Sequence, residues 1–148
     1  MMKRILLLSV FFLLFYSGGV FAKTESVSVD KANIRTGPGK EYEVIWQVGK
    51  YYPVKVIKKS GEWYKIRDFE DDEGWIHSSL LKKIPSVVVK RDEINVRKGP
   101  GKEFKILFRA EKGVSFKLLK KKGMWVKVQH ADGDVGWIYR PLVWGLED

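Results

Sequence analysis

The chain has 148 residues, which is enough for one ordinary domain or two very small ones. Apolar residues make up 45% and aromatic residues 14%, so a disordered chain is excluded, and the net charge of +10 favours acidic partners without identifying them. Cysteine is absent, which excludes disulfides, zinc–thiolate sites and a cysteine nucleophile.

The N-terminal segment has the residue order of a secretory signal peptide. Lys3 and Arg4 precede an apolar run over residues 5–16. Residues 20–22 (Val-Phe-Ala) then place small side chains at positions −3 and −1 before the cleaved bond. The run is shorter than the roughly 20 apolar residues that a membrane span needs. Residues 1–22 are therefore predicted to direct Sec translocation and to be removed by signal peptidase, with a retained anchor as the alternative. The rest of the chain is then periplasmic or secreted and meets the membrane only during export.

The remaining sequence is a tandem repeat. A segment that begins at Asn33 recurs 62 residues later at Asn95, and 21 of the 57 positions from 27 to 83 match their partners without a gap, which indicates a duplicated unit. Two small domains are predicted, here called repeat one (residues 23–84) and repeat two (residues 85–148). The linker is so short that the two units are expected to pack together or to be closely articulated.

Each repeat is predicted to consist of short β-strands. Period-two alternation, or a short apolar run bordered by turn residues, marks strands at residues 27–29, 55–58, 63–67, 114–118 and 125–129. Glycines punctuate these runs, and no sustained helical stripe occurs after the signal peptide. About five short strands in roughly 60 residues predict an all-β protein made of two tandem small β-barrels.

Three motifs occur in the same order in both repeats: Asn-(Ile/Val)-Arg-x-Gly-Pro-Gly, Gly-x-Trp and Gly-Trp-Ile. Together they resemble the bacterial Src-homology-3-like (SH3b) domain over residues 25–145. The closing residues 142–145 resemble the end of the exported two-repeat form of Gram-negative bacteria, which favours the periplasm. The resemblance implies two SH3-like barrels that bind cell-wall material or proteins.

The motif residues have a structural interpretation. Arg35 and Arg97 are expected to brace the glycine- and proline-rich loop that follows each of them through backbone carbonyls, and capture of a ligand carboxylate is the alternative. Asn33 and Asn95 are expected to cap the same turn by local hydrogen bonds. The Gly-Trp pairs are expected in the core and on an edge strand. The full set of structural motif residues is Asn33, Arg35, Gly37, Pro38, Gly39, Gly74, Trp75, Asn95, Arg97, Gly99, Pro100, Gly101, Gly136 and Trp137.

Alternation separates a core face from a more open face in residues 63–67 and 125–129. The aliphatic positions are the better core candidates, so each tryptophan lies with a lysine on the other face. A half-exposed indole beside a lysine suits the binding of sugars or peptides, and an apolar cluster that closes the barrel or the seam is the alternative. The predicted ligand-binding residues are Trp63, Tyr52, Lys65, Trp125 and Lys127.

Charge differs between the repeats. Lys117 and residues 120–122 form a basic hairpin in repeat two, whereas residues 68–73 form an acidic loop in repeat one. Both are expected to be solvated turns. Attraction of the basic hairpin to an anionic polymer and calcium binding by the acidic loop are the alternatives.

The sequence carries no catalytic pattern. His77 and His130 do not occupy equivalent positions, and Gly-x-Ser-x-Gly, His-Glu-x-x-His and a phosphate-binding loop are absent. The prediction is a non-catalytic exported module, without cofactor or metal, that recognises peptidoglycan or other envelope material through grooves of its barrels. An adaptor that binds a peptide segment of an envelope protein is the alternative, and export argues against a nucleic-acid partner.

Overall fold

The computed structural model describes residues 22–147 and folds them into two antiparallel sheets of seven strands each. The first sheet contains β1 (Lys23–Val27), β2 (Ala32–Arg35), β3 (Val44–Val48), β4 (Pro53–Ser60), β5 (Trp63–Arg67), β6 (Glu73–His77) and β7 (Leu81–Lys82). The second contains β8 (Ser86–Val89), β9 (Glu93–Arg97), β10 (Ile106–Glu111), β11 (Ser115–Lys122), β12 (Trp125–Gln129), β13 (Val135–Tyr139) and β14 (Val143–Trp144). The short 3₁₀ helices Ser78–Leu80 and Arg140–Leu142 precede β7 and β14. Apart from Ala22, the predicted signal peptide lies outside the described residues.

Both sheets have the same strand order. It is β3-β2-β6-β5-β4-β1-β7 in repeat one and β10-β9-β13-β12-β11-β8-β14 in repeat two, which confirms the prediction of an all-β chain with two copies of one topology. Gly61 and Gly123 turn β4 into β5 and β11 into β12 with φ angles of +58° and +57°. Such tight turns require a left-handed residue, for which glycine is suited. Within residues 22–147 no helix has the length and apolarity to cross a membrane.

Each barrel has a largely aliphatic core, which also holds Tyr52 in repeat one and Phe116 in repeat two. Ile66 on β5 and Val126 and Val128 on β12 are fully buried, whereas the alternate residues Trp63 and Trp125 are only half-buried on the outer face. Successive side chains of a strand point to opposite sides of the sheet, so the period-two pattern predicted these faces correctly.

The two cores share residues across the seam between the repeats. Val88 lies on β8 of repeat two but is fully buried in the core of repeat one, and Trp144 of β14 packs against that same core. The Ser115 hydroxyl of repeat two donates a hydrogen bond to the Lys50 carbonyl of repeat one at 2.9 Å. The repeats are therefore packed together.

An arginine closes the motif loop in each repeat. Arg35 donates from Nη1 to the carbonyls of Lys40 and Tyr42 at 3.1 and 2.9 Å, and Arg97 makes the two equivalent bonds at 3.1 and 3.0 Å. A Cβ on Gly37 would overlap the Tyr42 ring, so the loop needs glycine for this close approach. Both guanidinium groups thus bind backbone of their own loop.

Asn33 differs from its expected role. Its Oδ1 accepts a hydrogen bond from Gln47 Nε2 at 2.6 Å instead of capping the turn. The reason is register: Asn33 lies within β2 directly opposite Gln47 on β3, so the cross-strand neighbour is nearer than the loop. The predicted turn cap is wrong for Asn33.

Candidate ligand-binding surface

Cross-strand pairs on the outer face of repeat one bring rings and a lysine together. Trp63 on β5 lies opposite His77 on β6, and their rings meet edge-on with centroids 5.3 Å apart at 88°. Two positions along the strand, Lys65 lies opposite Trp75. All four side chains are half-buried, and we call them the first ring row.

Repeat two carries the same arrangement. Trp125 on β12 lies opposite Tyr139 on β13, with ring centroids 5.4 Å apart at 47°, and Lys127 lies opposite Trp137. We call these four residues the second ring row. Trp137 is only 9% exposed, so the accessible surface of the second ring row comes mainly from Trp125, Lys127 and Tyr139.

Sequence reasoning placed Trp63 with Lys65 and Trp125 with Lys127, but it missed the second ring of each row. The missing partners, His77 and Tyr139, lie opposite the tryptophans on the next strand. Alternation along Gly-Trp-Ile-His and Gly-Trp-Ile-Tyr carries the signal that could have found them, because it puts the ring at the fourth position on the same face as the tryptophan.

The two ring rows differ in their electrostatics. Glu73 Oε2 lies 3.3 Å from Lys65 Nζ, and Glu73 Oε1 lies 2.6 Å from Arg67 Nη2. The hydrogen bond from Arg67, followed by the one from Lys65, holds the pKa of the Glu73 carboxyl below its usual value. In repeat two Val135 stands at the equivalent position, and Lys127 forms no ion pair within residues 22–147. Lys127 is therefore the lysine that an anionic ligand meets without a competing carboxylate.

Tyr52 lies apart from the first ring row. It is only 8% exposed, and its hydroxyl donates a hydrogen bond to Asp68 Oδ2 at 3.0 Å. Asp68 Oδ1 in turn accepts from the backbone N–H groups of Glu70 and Asp72 at 2.9 and 3.0 Å. Burial, reinforced by the Asp68 charge, raises the pKa of the Tyr52 hydroxyl far above its ordinary value. Tyr52 thus fixes the acidic loop to the core, and its position removes it from the candidate surface.

The two charged turns lie at the surface. Residues 120–122 are exposed at the end of the β11–β12 hairpin, and residues 70–73 are exposed in the acidic loop. In the described part of the chain, no three histidine or carboxylate side chains are grouped so that they could hold a metal ion.

Sequence reasoning also missed a cleft at the seam between the repeats. It has a volume of about 650 Å³ and is lined from both repeats, by Lys55 on β4 and by Lys90, Arg140 and Trp144 of repeat two, among others. Residues so far apart in the chain share no periodicity, and only the packing of the two barrels brings them together.

A comparison with protein families decides the assignment of the fold. The family model described as the bacterial SH3 domain matches the chain twice, over residues 28–83 and over residues 90–145. The chain belongs to the bacterial SH3 domain family. The resemblance of the repeated motifs is confirmed, and the two sheets are two tandem SH3-like barrels.

Two curated relatives of this bacterial SH3 domain protein carry the names of amidases. A Bacillus subtilis protein named as an N-acetylmuramoyl-L-alanine amidase is 24% identical over 135 residues, which are 83% of this chain and 26% of the relative. A Staphylococcus epidermidis protein named as a cell wall amidase is 38% identical over 48 residues, which are 32% of this chain and 16% of the relative. The chain thus spans about a quarter or less of the length of these relatives.

Solved structures share only a distant likeness. NlpC1 from Trichomonas vaginalis is 11% identical with a TM-score of 0.39, over 86% of this chain and 47% of that chain. An NlpC/P60 family protein from Bacillus cereus is 15% identical with a TM-score of 0.40, over 82% of this chain and 56% of that chain.

Proposed function

We propose that this bacterial SH3 domain protein is a non-catalytic module of the cell envelope that binds peptidoglycan. The observation that carries the proposal is the duplicated ring row, which places an indole, a second ring and a lysine amine on one half-buried surface of each repeat. Indole faces stack on apolar faces of sugars and peptides, and a lysine amine donates to carbonyl or carboxylate oxygens. Two such surfaces suit a polymer whose chemical units repeat.

The second ring of each row supports binding by orienting the indole. His77 packs its ring against Trp63 edge-on, and Tyr139 packs against Trp125 at the equivalent place. A side chain that is already held in one orientation loses less conformational entropy when a ligand covers it. The rows are therefore preorganised surfaces rather than mobile side chains.

The names of the relatives support peptidoglycan as the polymer. One is named as an N-acetylmuramoyl-L-alanine amidase and the other as a cell wall amidase, and the parts that match this chain are 26% and 16% of their lengths. That share fits a binding module carried beside a separate catalytic region, and we propose no catalysis for this chain. Together with the predicted signal peptide, it supports a location outside the cytoplasm, in the periplasm or secreted.

The test is sedimentation of the purified protein, exported with its own leader, with peptidoglycan sacculi at about 0.1 M and about 0.5 M salt. We expect binding that survives the higher salt. Trp63→Ala and Trp125→Ala are each expected to weaken it by about tenfold, equivalent to about 1.4 kcal/mol of lost contact. Ile45→Ala is the matched control, because Ile45 is 49% exposed on β3 and lies outside both ring rows.

Four outcomes contradict the proposal. Binding that disappears at the higher salt would indicate charge attraction alone, because surface charges are screened by salt. Tryptophan variants that bind as well as Ile45→Ala would remove the ring rows from the site. Absence of binding to sacculi, with cross-linking to one envelope protein, would favour the adaptor function. Release of soluble wall fragments during the incubation would contradict the absence of catalysis.

A further inference from the structure

The cleft at the seam is built by both repeats. Its volume of about 650 Å³ lies in the range of small-ligand sites. Gly145 forms part of its wall with a φ of +117°, and a Cβ at this position would lie 2.7 Å from the Ser86 carbonyl oxygen. At this point the wall is therefore the backbone of Gly145, which packs closely against the backbone of Ser86. A second cavity, of about 440 Å³, adjoins it and shares Thr24, Gly145, Leu146 and Glu147 with it.

Cations from three separate parts of the chain line this seam cleft. Lys55 comes from β4, Lys90 follows β8, and Arg140 begins the second 3₁₀ helix. Among the lining residues in the described part of the chain, Glu147 is the one with an acidic side chain. The adjoining cavity adds Lys83 and Lys121, together with Lys23, which is paired with Glu25 at 2.6 Å. An anion in the seam cleft therefore meets a surplus of positive charge with low-dielectric walls on both sides.

The floor of the seam cleft is apolar. Trp144 is half-buried against the core of repeat one, and Lys55 Nζ lies 5.8 Å from the centroid of its indole. Val143 and Met124 line the same cleft, and Met124 is 50% exposed. A ligand that fits this surface combines negative groups with an aliphatic frame.

We propose that the seam cleft binds a short peptide that carries two or more carboxylates. The carboxylates face Lys55, Lys90 and Arg140, while the aliphatic part of the peptide covers Trp144 and Met124. Carboxylates recognise lysine and arginine through charge-assisted hydrogen bonds, and an apolar floor excludes water from them. The inference rests on the proposed function for one source of the ligand, the stem peptides of peptidoglycan; an acidic segment of a protein is the other source.

The experiment titrates the purified full chain with three probes by calorimetry: a peptidoglycan stem tetrapeptide, the same peptide with its carboxylates amidated, and synthetic tetraglutamate. The double variant Lys55→Gln/Lys90→Gln removes two cations from the seam cleft. The matched control, Lys40→Gln/Lys102→Gln, removes two exposed lysines from the motif loops outside it. We expect at least a tenfold loss of affinity for the first pair and less than twofold for the second, because distant surface charges are screened. Amidation is expected to abolish binding.

Equal losses in the two double variants, or equal binding of the amidated peptide, would overturn the proposal. Tighter binding of the stem tetrapeptide supports the site and assigns the wall as its source, whereas tighter binding of tetraglutamate supports it with a protein source. The proposed function fails separately. Binding of sacculi without binding of any peptide would refute the seam site and leave the ring rows as the binding surface. Binding of the tetrapeptide without binding of sacculi would support the seam site and refute the proposed function.

Discussion

The two repeats share their strands and their ring rows but close the loop between the fifth and sixth strands of each barrel differently. In repeat one the buried Asp68 carboxylate accepts hydrogen bonds from the Tyr52 hydroxyl and from two backbone N–H groups. In repeat two the equivalent turn lies at the surface, where Asp132 accepts from the backbone of Asp134 and pairs with His130 at 3.0 Å. One topology thus tolerates a buried polar network or a solvated turn at the same place.

This difference separates the residues that determine the geometry of the barrel from those that determine the charge of its surface. The arginine-braced loops are the same in both repeats to within 0.1 Å in their hydrogen-bond lengths. Some exposed charged residues nearby differ between the repeats, as at Glu43 against Lys105, because solvated side chains tolerate substitution better than packed ones. Substitutions in one repeat at a time can therefore show how each difference between the repeats affects stability or binding.

The largest expected effect lies at Val88, which belongs to repeat two in sequence and to the core of repeat one in space. Val88→Ala is expected to lower the free energy of unfolding by about 2–3 kcal/mol, since it leaves a cavity in a fully packed core. Urea unfolding followed by tryptophan fluorescence measures it. Val44→Ala, the same change at a 38% exposed site, is the control, and equal losses would show that the seam is loosely packed.

The next effect separates the two loop closures. Asp68→Ala leaves the buried Tyr52 hydroxyl and two N–H groups without their acceptor and is expected to cost about 2 kcal/mol. His130→Ala at the equivalent surface turn is expected to cost about 0.5 kcal/mol. Chemical denaturation of the two variants compares them directly. Similar losses would mean that the buried network of repeat one adds no stability over the solvated turn.

Alkaline pH is expected to act on repeat one, because Val114 stands where repeat one has Tyr52. Tyrosine in the unfolded chain ionises at about pH 10, whereas burial and Asp68 raise the pKa of Tyr52 in the folded chain. The unfolded state then loses a proton that the folded state keeps. The stability from this group is fully present below about pH 10 and falls above it, by up to about 1.4 kcal/mol per pH unit. Tyr52→Phe is expected to flatten that fall in denaturation between about pH 9 and about pH 11; an unchanged slope would contradict it.

The smallest effect concerns the ring rows themselves. Glu73→Val gives repeat one the residue type of repeat two and frees Lys65 and Arg67 from their carboxylate. In a Trp125→Ala background, where repeat one dominates, it is expected to tighten binding to sacculi by about threefold. Glu111→Val removes one exposed acid elsewhere as the control. An equal gain in both would assign the effect to net charge.

The parts of the molecule that the sequence predicted are those with a local period. Alternation defined the faces of β5 and β12, so Trp63 and Trp125 were placed correctly beside their lysines. Tyr52 precedes β4 in a loop, where no alternation defines a face, and its partner Asp68 lies 16 residues away. Val88 fills the core of the other barrel, and no local pattern indicates this, since a buried strand carries no mark of which barrel it fills. The seam cleft forms only where the two barrels pack against each other, so no pattern within one repeat could predict it.

The interlocked seam has a consequence for affinity toward a long ligand. Val88 and Trp144 tie the barrels together, so the two ring rows are held at one separation instead of sampling many. A polymer strand bound by one row then presents its neighbouring units to the other row as an intramolecular partner, at an effective concentration that depends on their spacing. In the proposed function, strands whose spacing fits both ring rows gain avidity, and other strands bind through one row only. The seam would then let this pair of barrels select ligands by the spacing of their units.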